Sequence, residues 1–175
     1  MAMIAASSEK LLNLASVSRD VGISPPTAER WLSILKASII VYLLEPYHNN
    51  LTKRAIKTPK VYFLDTGLMA YLTRWPTPET LQTGAQAGAF FESFVIAEVI
   101  KSYYNAGILE PPVYFYRDKE QNEIDLLIYE NGTLYPIEMK KHADPSKSDI
   151  AAFAVLARFR TFIEAPTVLS ACMIT

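Results

Sequence analysis

The sequence predicts an α/β chain of the α+β kind in two parts: helices and a hairpin over residues 1–65, then a mixed sheet flanked by helices over 66–175. Three observations predict it. Two short helix signals flank Gly22, and strand-like runs follow at 38–44 and 60–64. Three further strand patterns, Val113–Arg117, Glu123–Glu130 and Thr133–Lys140, come after a long helical stretch.

Composition narrows the class before any element is placed. Half of the 175 residues are hydrophobic and a fifth are charged, which is the balance of a globular chain with a core and excludes a disordered one. The single cysteine, Cys172, excludes an internal disulfide and a cysteine-rich zinc site, and fits a reducing compartment. It reads as a small buried hydrophobe. The opening MAMIAASSEK has neither the basic start nor the apolar stretch of a signal peptide. The longest apolar run, 39–44, is far too short to span a membrane, so a cytoplasmic protein with no membrane partner is expected. Charge is uneven: residues 1–65 carry eight Lys/Arg against five Asp/Glu, and residues 66–175 carry nine against thirteen. A polyanion would therefore meet the N-terminal part first.

In the first part, residues 10–14 read as the end of a helix. Ser16 is placed to cap a short second helix over 17–21 that stops at Gly22. Ser24 caps a third, with Pro25 in the first turn, where its missing N–H costs nothing. Trp31, Leu32, Ile34 and Leu35 supply its apolar side. The hairpin that follows makes this a winged helix-turn-helix. Lys53, Arg54, Lys57 and Lys60 lie in or beside the wing, outside the apolar pattern of its strands.

In the second part, Asp65 or Thr66 caps a helix over 68–73, which ends at Trp75-Pro76-Thr77-Pro78. A long helix over 90–104 leads to the three strands, and Asn131-Gly132 turns the last two into a hairpin. A further helix over 150–159 and a strand over 167–173 close the chain.

The chemistry-bearing residues sit on these elements. On a helical wheel Glu92 lies in the middle of the apolar face of the long helix, with Val99 about 20° and Ile96 about 40° away. A carboxylate aimed at a core needs a partner. Strict alternation in EIDLLIYE sets Asp125 on one face with Leu127 and Tyr129, and Ile124, Leu126 and Ile128 on the other. Glu138 and Lys140, two apart, share a face of the next strand. Carboxylates on adjacent strands suit Mg²⁺ or Mn²⁺, which would polarise a phosphodiester and activate a bound water. Asp125 and Glu138 are the expected metal ligands, Lys140 would orient that water or neutralise developing charge, and Glu92 would take a second metal or bind a metal-bound water. The competing expectation is a buried ion-pair network in which the four residues neutralise one another.

The run FYRDKEQNEIDLLIYENGTLYPIEMKK resembles the core of PD-(D/E)XK nuclease-like domains. Through GISPPTAERWLSILKASIIVYLLEPY, KRAIKTPKVYFLDTGLMAYL and FFESFVIAEV, residues 10–170 resemble the C-terminal domain-of-unknown-function region of prokaryotic AAA-type ATPases. The resemblance implies an N-terminal ATPase module as partner, a winged helix, and a restriction-endonuclease-like sheet. In that sheet Glu92 would be the helix acid, Asp125 the central Asp, and Glu138 and Lys140 the E-x-K. Two departures stand out. Ile124 occupies the place of the motif's proline, and no G-x-x-x-x-G-K-[ST] loop is present, so this chain carries no ATP site of that form.

The resemblance and the residues together predict a DNA-associated C-terminal region of an AAA-type ATPase with an Mg²⁺-dependent phosphodiesterase site. Thr27, Arg30 and Lys36 would face the major groove, and Lys53, Arg54 and Lys57 would reach phosphates from the wing. The alternative is a non-catalytic interaction or regulatory module with a structural acidic cluster. His48 and His142 are the only histidines, too few for a histidine-rich metal site.

Overall fold

A computed structural model of the chain describes residues 1–48, 56–141, 147–158 and 161–170. Two compact units result: Met1–Leu43 with Pro59–Gly107, and Leu44–Thr58 with Ile108–Thr175.

The first unit opens with α1 (Ala2–Ala5), α2 (Leu14–Val21) and α3 (Pro25–Ala37). Asn13, not Ser16, caps α2, accepting from the Ser16 N–H at 2.9 Å. Gly22 ends α2 in the left-handed region, φ 74, where an L side chain would be strained. Ser24 caps α3 as expected: its hydroxyl accepts from the Thr27 N–H at 3.3 Å. Leu32 is buried, but Trp31 and Ile34, expected on the packed side, are 51% and 56% exposed. Strands β1 (Val41–Leu44) and β2 (Lys60–Phe63) then pair.

Residues 10–14 do not end a helix. Glu9 turns into the left-handed region, φ 69, and breaks the helical path. Residues 9–12 then run along β2. The Glu9 N–H donates to the Val61 carbonyl at 2.8 Å, Val61 N–H to Lys10 at 3.2 Å, and Leu12 N–H to Pro59 at 2.8 Å.

Beyond β2 come α4 (Thr66–Leu72), α5 (Pro78–Thr83) and α6 (Ala87–Asn105). Asp65 caps α4, accepting from Leu68 N–H at 2.8 Å. Helix α5 was not expected, because Pro76 and Pro78 read as stop signals. Pro78 in fact stands in the first turn behind Thr77, which forms a capping box with Thr80. Ile4, Val17, Leu32, Val41, Val61, Phe63, Met69 and Phe90 form one core, with Trp75 edge-on to Phe90. That shared core groups α4–α6 with the N-terminal helices, whereas a boundary at residue 65 would separate them.

The second unit is a five-stranded mixed sheet. Strands β3 (Val113–Arg117), β4 (Glu123–Glu130) and β5 (Thr133–Lys140) follow their expected bounds as an antiparallel meander. Asn131 (φ 51) and Gly132 (φ 79) make the tight turn between β4 and β5. Strands β6 (Phe162–Ile163) and β7 (Thr167–Ser170) both run parallel to β5, with Leu134 beside Ile163 and Glu138 beside Val168. A 3-10 helix over Lys147–Arg158 stands where an α-helix was expected, and places Phe153, Val155 and Leu156 in the core.

The segment expected as a wing is tied to β3 at both of its described ends. Tyr47 N–H donates to Phe115 at 2.7 Å, Phe115 N–H to Glu45 at 3.1 Å, and Ile56 N–H to Arg117 at 2.9 Å.

One irregularity bears on the site. Tyr114 stands opposite Leu127 and Tyr116 opposite Ile124, so two steps on β3 match three on β4. The extra residue falls within Asp125–Leu126. Such a bulge breaks alternation. Ile124 therefore joins Leu127, Tyr114 and Tyr116 in one apolar cluster, instead of pointing away from Leu127.

Candidate metal and phosphate site

The pairs between β4 and β5 run from Glu130↔Thr133 to Leu126↔Ile137. The next residues beyond that last pair on the two strands are Asp125 and Glu138. Both are buried, at 9% and 5% exposure. The Asp125 carboxylate does not wait in solvent: its Oδ2 accepts from the Met139 backbone N–H at 2.8 Å. Glu138 Oε1 lies 2.6 Å from Lys140 Nζ, which reaches it from two residues along the same strand face. Lys140 is 32% exposed, so this pair has a dry acid and a wetter base. Asp125, Glu138 and Lys140 thus gather at one end of the β4–β5 ladder.

Glu92 belongs to the first unit, and its partners there are different. Its Oε1 accepts from Tyr62 O–H at 2.5 Å and meets Lys60 Nζ at 3.1 Å. Lys60 is buried within β2 and does not belong with the bases expected in the wing. Burial first, and the Glu92 charge second, hold the Glu9 carboxyl above its ordinary value of 4.5, against the opposing pull of Lys60 and Lys10. The wheel placed Glu92 inward and required a partner, and Lys60 and Tyr62, two apart on one strand, were the signal for it. The solvated face of α6 is as expected, with Glu98 and Lys101 exposed and paired at 2.5 Å.

Among the residues proposed to touch DNA, Arg30, Lys36 and Lys57 are exposed. Thr27 is half-buried at the start of α3, its hydroxyl 2.8 Å from that of Ser24. Lys53 and Arg54 lie outside the described residues, as do His142 and Cys172.

Among the described residues, no group of three or more His, Cys, Asp or Glu is gathered as a metal cage. At this end of the β4–β5 ladder two buried carboxylates remain, Asp125 and Glu138. Hard oxygen donors in that number suit an ion that keeps most of its waters. Among the described residues, no helix is long and apolar enough to cross a membrane.

Comparisons with known proteins divide the chain between residues 79 and 87, so that α6 falls with the sheet rather than with the N-terminal helices that share its core. Residues 1–79 match a family model described as a domain of unknown function (DUF8612). Residues 87–170 match another domain of unknown function (DUF4143), one found in the C-terminal region of AAA-ATPase-like proteins. Uncharacterized proteins of Mycobacterium bovis and Mycobacterium tuberculosis are each 31% identical to the chain over 140 residues. That alignment covers 79% of this chain and 30% of each relative, so the chain spans about a third of their length. No solved structure matches.

Proposed function

We propose that this chain is the DNA-associated C-terminal region of an AAA-type ATPase, and that Asp125, Glu138 and Lys140 form a divalent-cation site directed at phosphate. The observation that carries the proposal is the end of the β4–β5 ladder, where two adjacent strands each carry a buried carboxylate, Asp125 and Glu138, with Lys140 against one of them. The match to a domain found in the C-terminal region of AAA-ATPase-like proteins, and the greater length of the relatives, support the placement. Helix α3, with Arg30 and Lys36, and the segment holding Lys53, Arg54 and Lys57 would meet the nucleic-acid backbone.

The residues fit Mg²⁺ or Mn²⁺ by donor chemistry. Asp125 and Glu138 would hold the ion, which when bound polarises a phosphate oxygen and acidifies a coordinated water. Lys140, mobile enough to leave Glu138 because it is partly solvated, would place its ammonium against the phosphate charge. Glu92 is engaged by Lys60 and Tyr62 in its own unit, so the proposal rests on the three residues of the sheet.

A second reading has its own observation. Lys140 already neutralises Glu138, and the Met139 N–H already satisfies Asp125, an arrangement that needs no ion. That reading is a non-catalytic interaction module with a structural acidic cluster. Calorimetric titration with Mg²⁺ and Mn²⁺ separates the two. Saturable binding that Asp125→Ala removes supports the cation site, and no binding to the parent chain selects the second reading.

A further inference from the structure

The hairpin between β3 and β4 pins one end of the strand that carries Asp125. Asp118, at the first position of the turn, is a carboxylate only 1% exposed. Its Oδ1 accepts from the Glu120 N–H at 2.9 Å and the Asn122 N–H at 3.0 Å, and its Oδ2 from Asn122 Nδ2 at 2.9 Å. The main chain closes the same turn. Asp118 N–H donates to the Asn122 carbonyl at 3.1 Å, and Gln121 N–H to the Asp118 carbonyl at 3.2 Å. Hairpin loops of this kind place their last residue in the left-handed region and favour glycine there. Here that residue is Gln121, at φ 66, so the turn carries strain that the Asp118 bonds offset. Arg117 holds the Gln121 side chain and meets Glu123 at 3.2 Å across the hairpin.

The turn has a consequence farther along β4. It sets Arg117 opposite Glu123 and Tyr116 opposite Ile124, while the Asn131-Gly132 turn sets Leu126 opposite Ile137. Tyr114 stands opposite Leu127, so β4 holds one residue more than β3 can match, and the surplus collects at Asp125–Leu126. Uninterrupted pairing from Tyr114↔Leu127 would instead bring Asp125 opposite Tyr116, a member of the apolar cluster, and Ile124 opposite Arg117. A slip of one residue reverses the faces.

We propose that Asp118 is a positioning residue for the sheet site. Its carboxylate locks the β3–β4 turn, the locked turn forces the bulge, and the bulge delivers Asp125 to the Met139 N–H. For its function this inference rests on the proposed cation site, and for its geometry on the ladder alone.

The test uses the full chain and reads the register directly. In the parent, NMR should show cross-strand contacts between Tyr116 and Ile124, and slow hydrogen exchange of the Met139 amide. Asp118→Ala should move the Tyr116 contact to Asp125 and lower Met139 protection by about tenfold or more, as for one lost bond to a charged group. The Tyr129 amide, bonded to the Pro112 carbonyl at 2.8 Å beyond the bulge, should keep its protection. Asp118→Asn retains an acceptor oxygen for both main-chain N–H groups and should hold the parent's register. If the alanine chain does not fold, Asp118→Ser, able to accept from one N–H but not from both, is read in the same way. Mn²⁺ calorimetry separates this inference from the reading beneath it. A parent that binds no Mn²⁺ removes the cation site and leaves the register result to decide the role of Asp118. A parent that binds, with Asp118→Ala weaker by about tenfold and Asp118→Asn close to the parent, supports both. Tyr116 still opposite Ile124 in the alanine or serine chain, or unchanged Met139 protection there, would overturn the proposal.

Discussion

Asp125 Oδ2 and the Met139 backbone N–H meet at 2.8 Å, so a side chain acts as acceptor just where the β4–β5 ladder gives out. The bulge that adds a residue to β4 at this point explains the substitution of side chain for main chain. Asp125 is thereby both a buried charge and a structural acceptor, and the two roles separate under mutation.

The first prediction uses that separation. Asp125→Asn keeps an acceptor oxygen for Met139, whereas Asp125→Ala leaves a buried donor unmet. The alanine variant should lose about 1–3 kcal/mol more than the asparagine one in chemical denaturation. Equal losses would mean that the Met139 bond contributes nothing.

The Lys60–Glu92 pair supports a second prediction. Lys60 and Glu92 are only 3% and 13% exposed, so removing the ammonium strands a carboxylate in a poor solvent. Lys60→Met should cost about 3 kcal/mol, and Lys60→Met with Glu92→Leu should recover most of it, because an apolar pair needs no desolvation. Thermal unfolding of the two variants against the parent measures this. A double variant less stable than the single one refutes the account.

The third prediction concerns the β4–β5 turn that sets the site's register. Gly132 holds φ 79, and a Cβ there would meet no atom within 4 Å. Gly132→Ala should therefore lose about 1–2 kcal/mol from backbone strain alone. Asn131, already at φ 51 with its side chain, should tolerate Asn131→Gly with little change. Paired denaturation curves of the two variants test the asymmetry.

Much of this was legible, and the failures have physical causes. The bounds of β3, β4 and β5 and the Asn131-Gly132 turn follow from alternation and turn chemistry, which are local. Ser24 and Asp65 announce their helices for the same reason. The β4 bulge leaves no mark in EIDLLIYE, because it depends on the match to Tyr114 and Tyr116 across the ladder. Hence Ile124 was assigned to the wrong face. Residues 10–14 look helical by composition, but their bonds go to β2, some fifty residues away. Glu92 was read as inward and partnered, which the structure bears out. Its partners were misassigned because Lys60 looks like a wing base until β2 is laid against α6.

The final prediction returns to Lys140, on which the two readings of the sheet site diverge. As a cation site, Asp125 and Glu138 hold the ion and Lys140 competes with it for Glu138 Oε1. Lys140→Ala should then bind Mn²⁺ at least as tightly as the parent, while any slow nicking of DNA seen with Mn²⁺ should disappear. Without metal, the variant should be close to the parent in stability, because the carboxylates are placed to be met by an ion and its waters. As an ion-pair network, the same substitution leaves Glu138 charged and buried. It should cost about 1–3 kcal/mol, less than a fully buried pair because Lys140 is 32% exposed, and neither protein should bind the cation. Mn²⁺ calorimetry and denaturation of the same two proteins therefore decide the matter together. Tight binding with small destabilisation upholds the cation site, and a large loss of stability with no binding removes it.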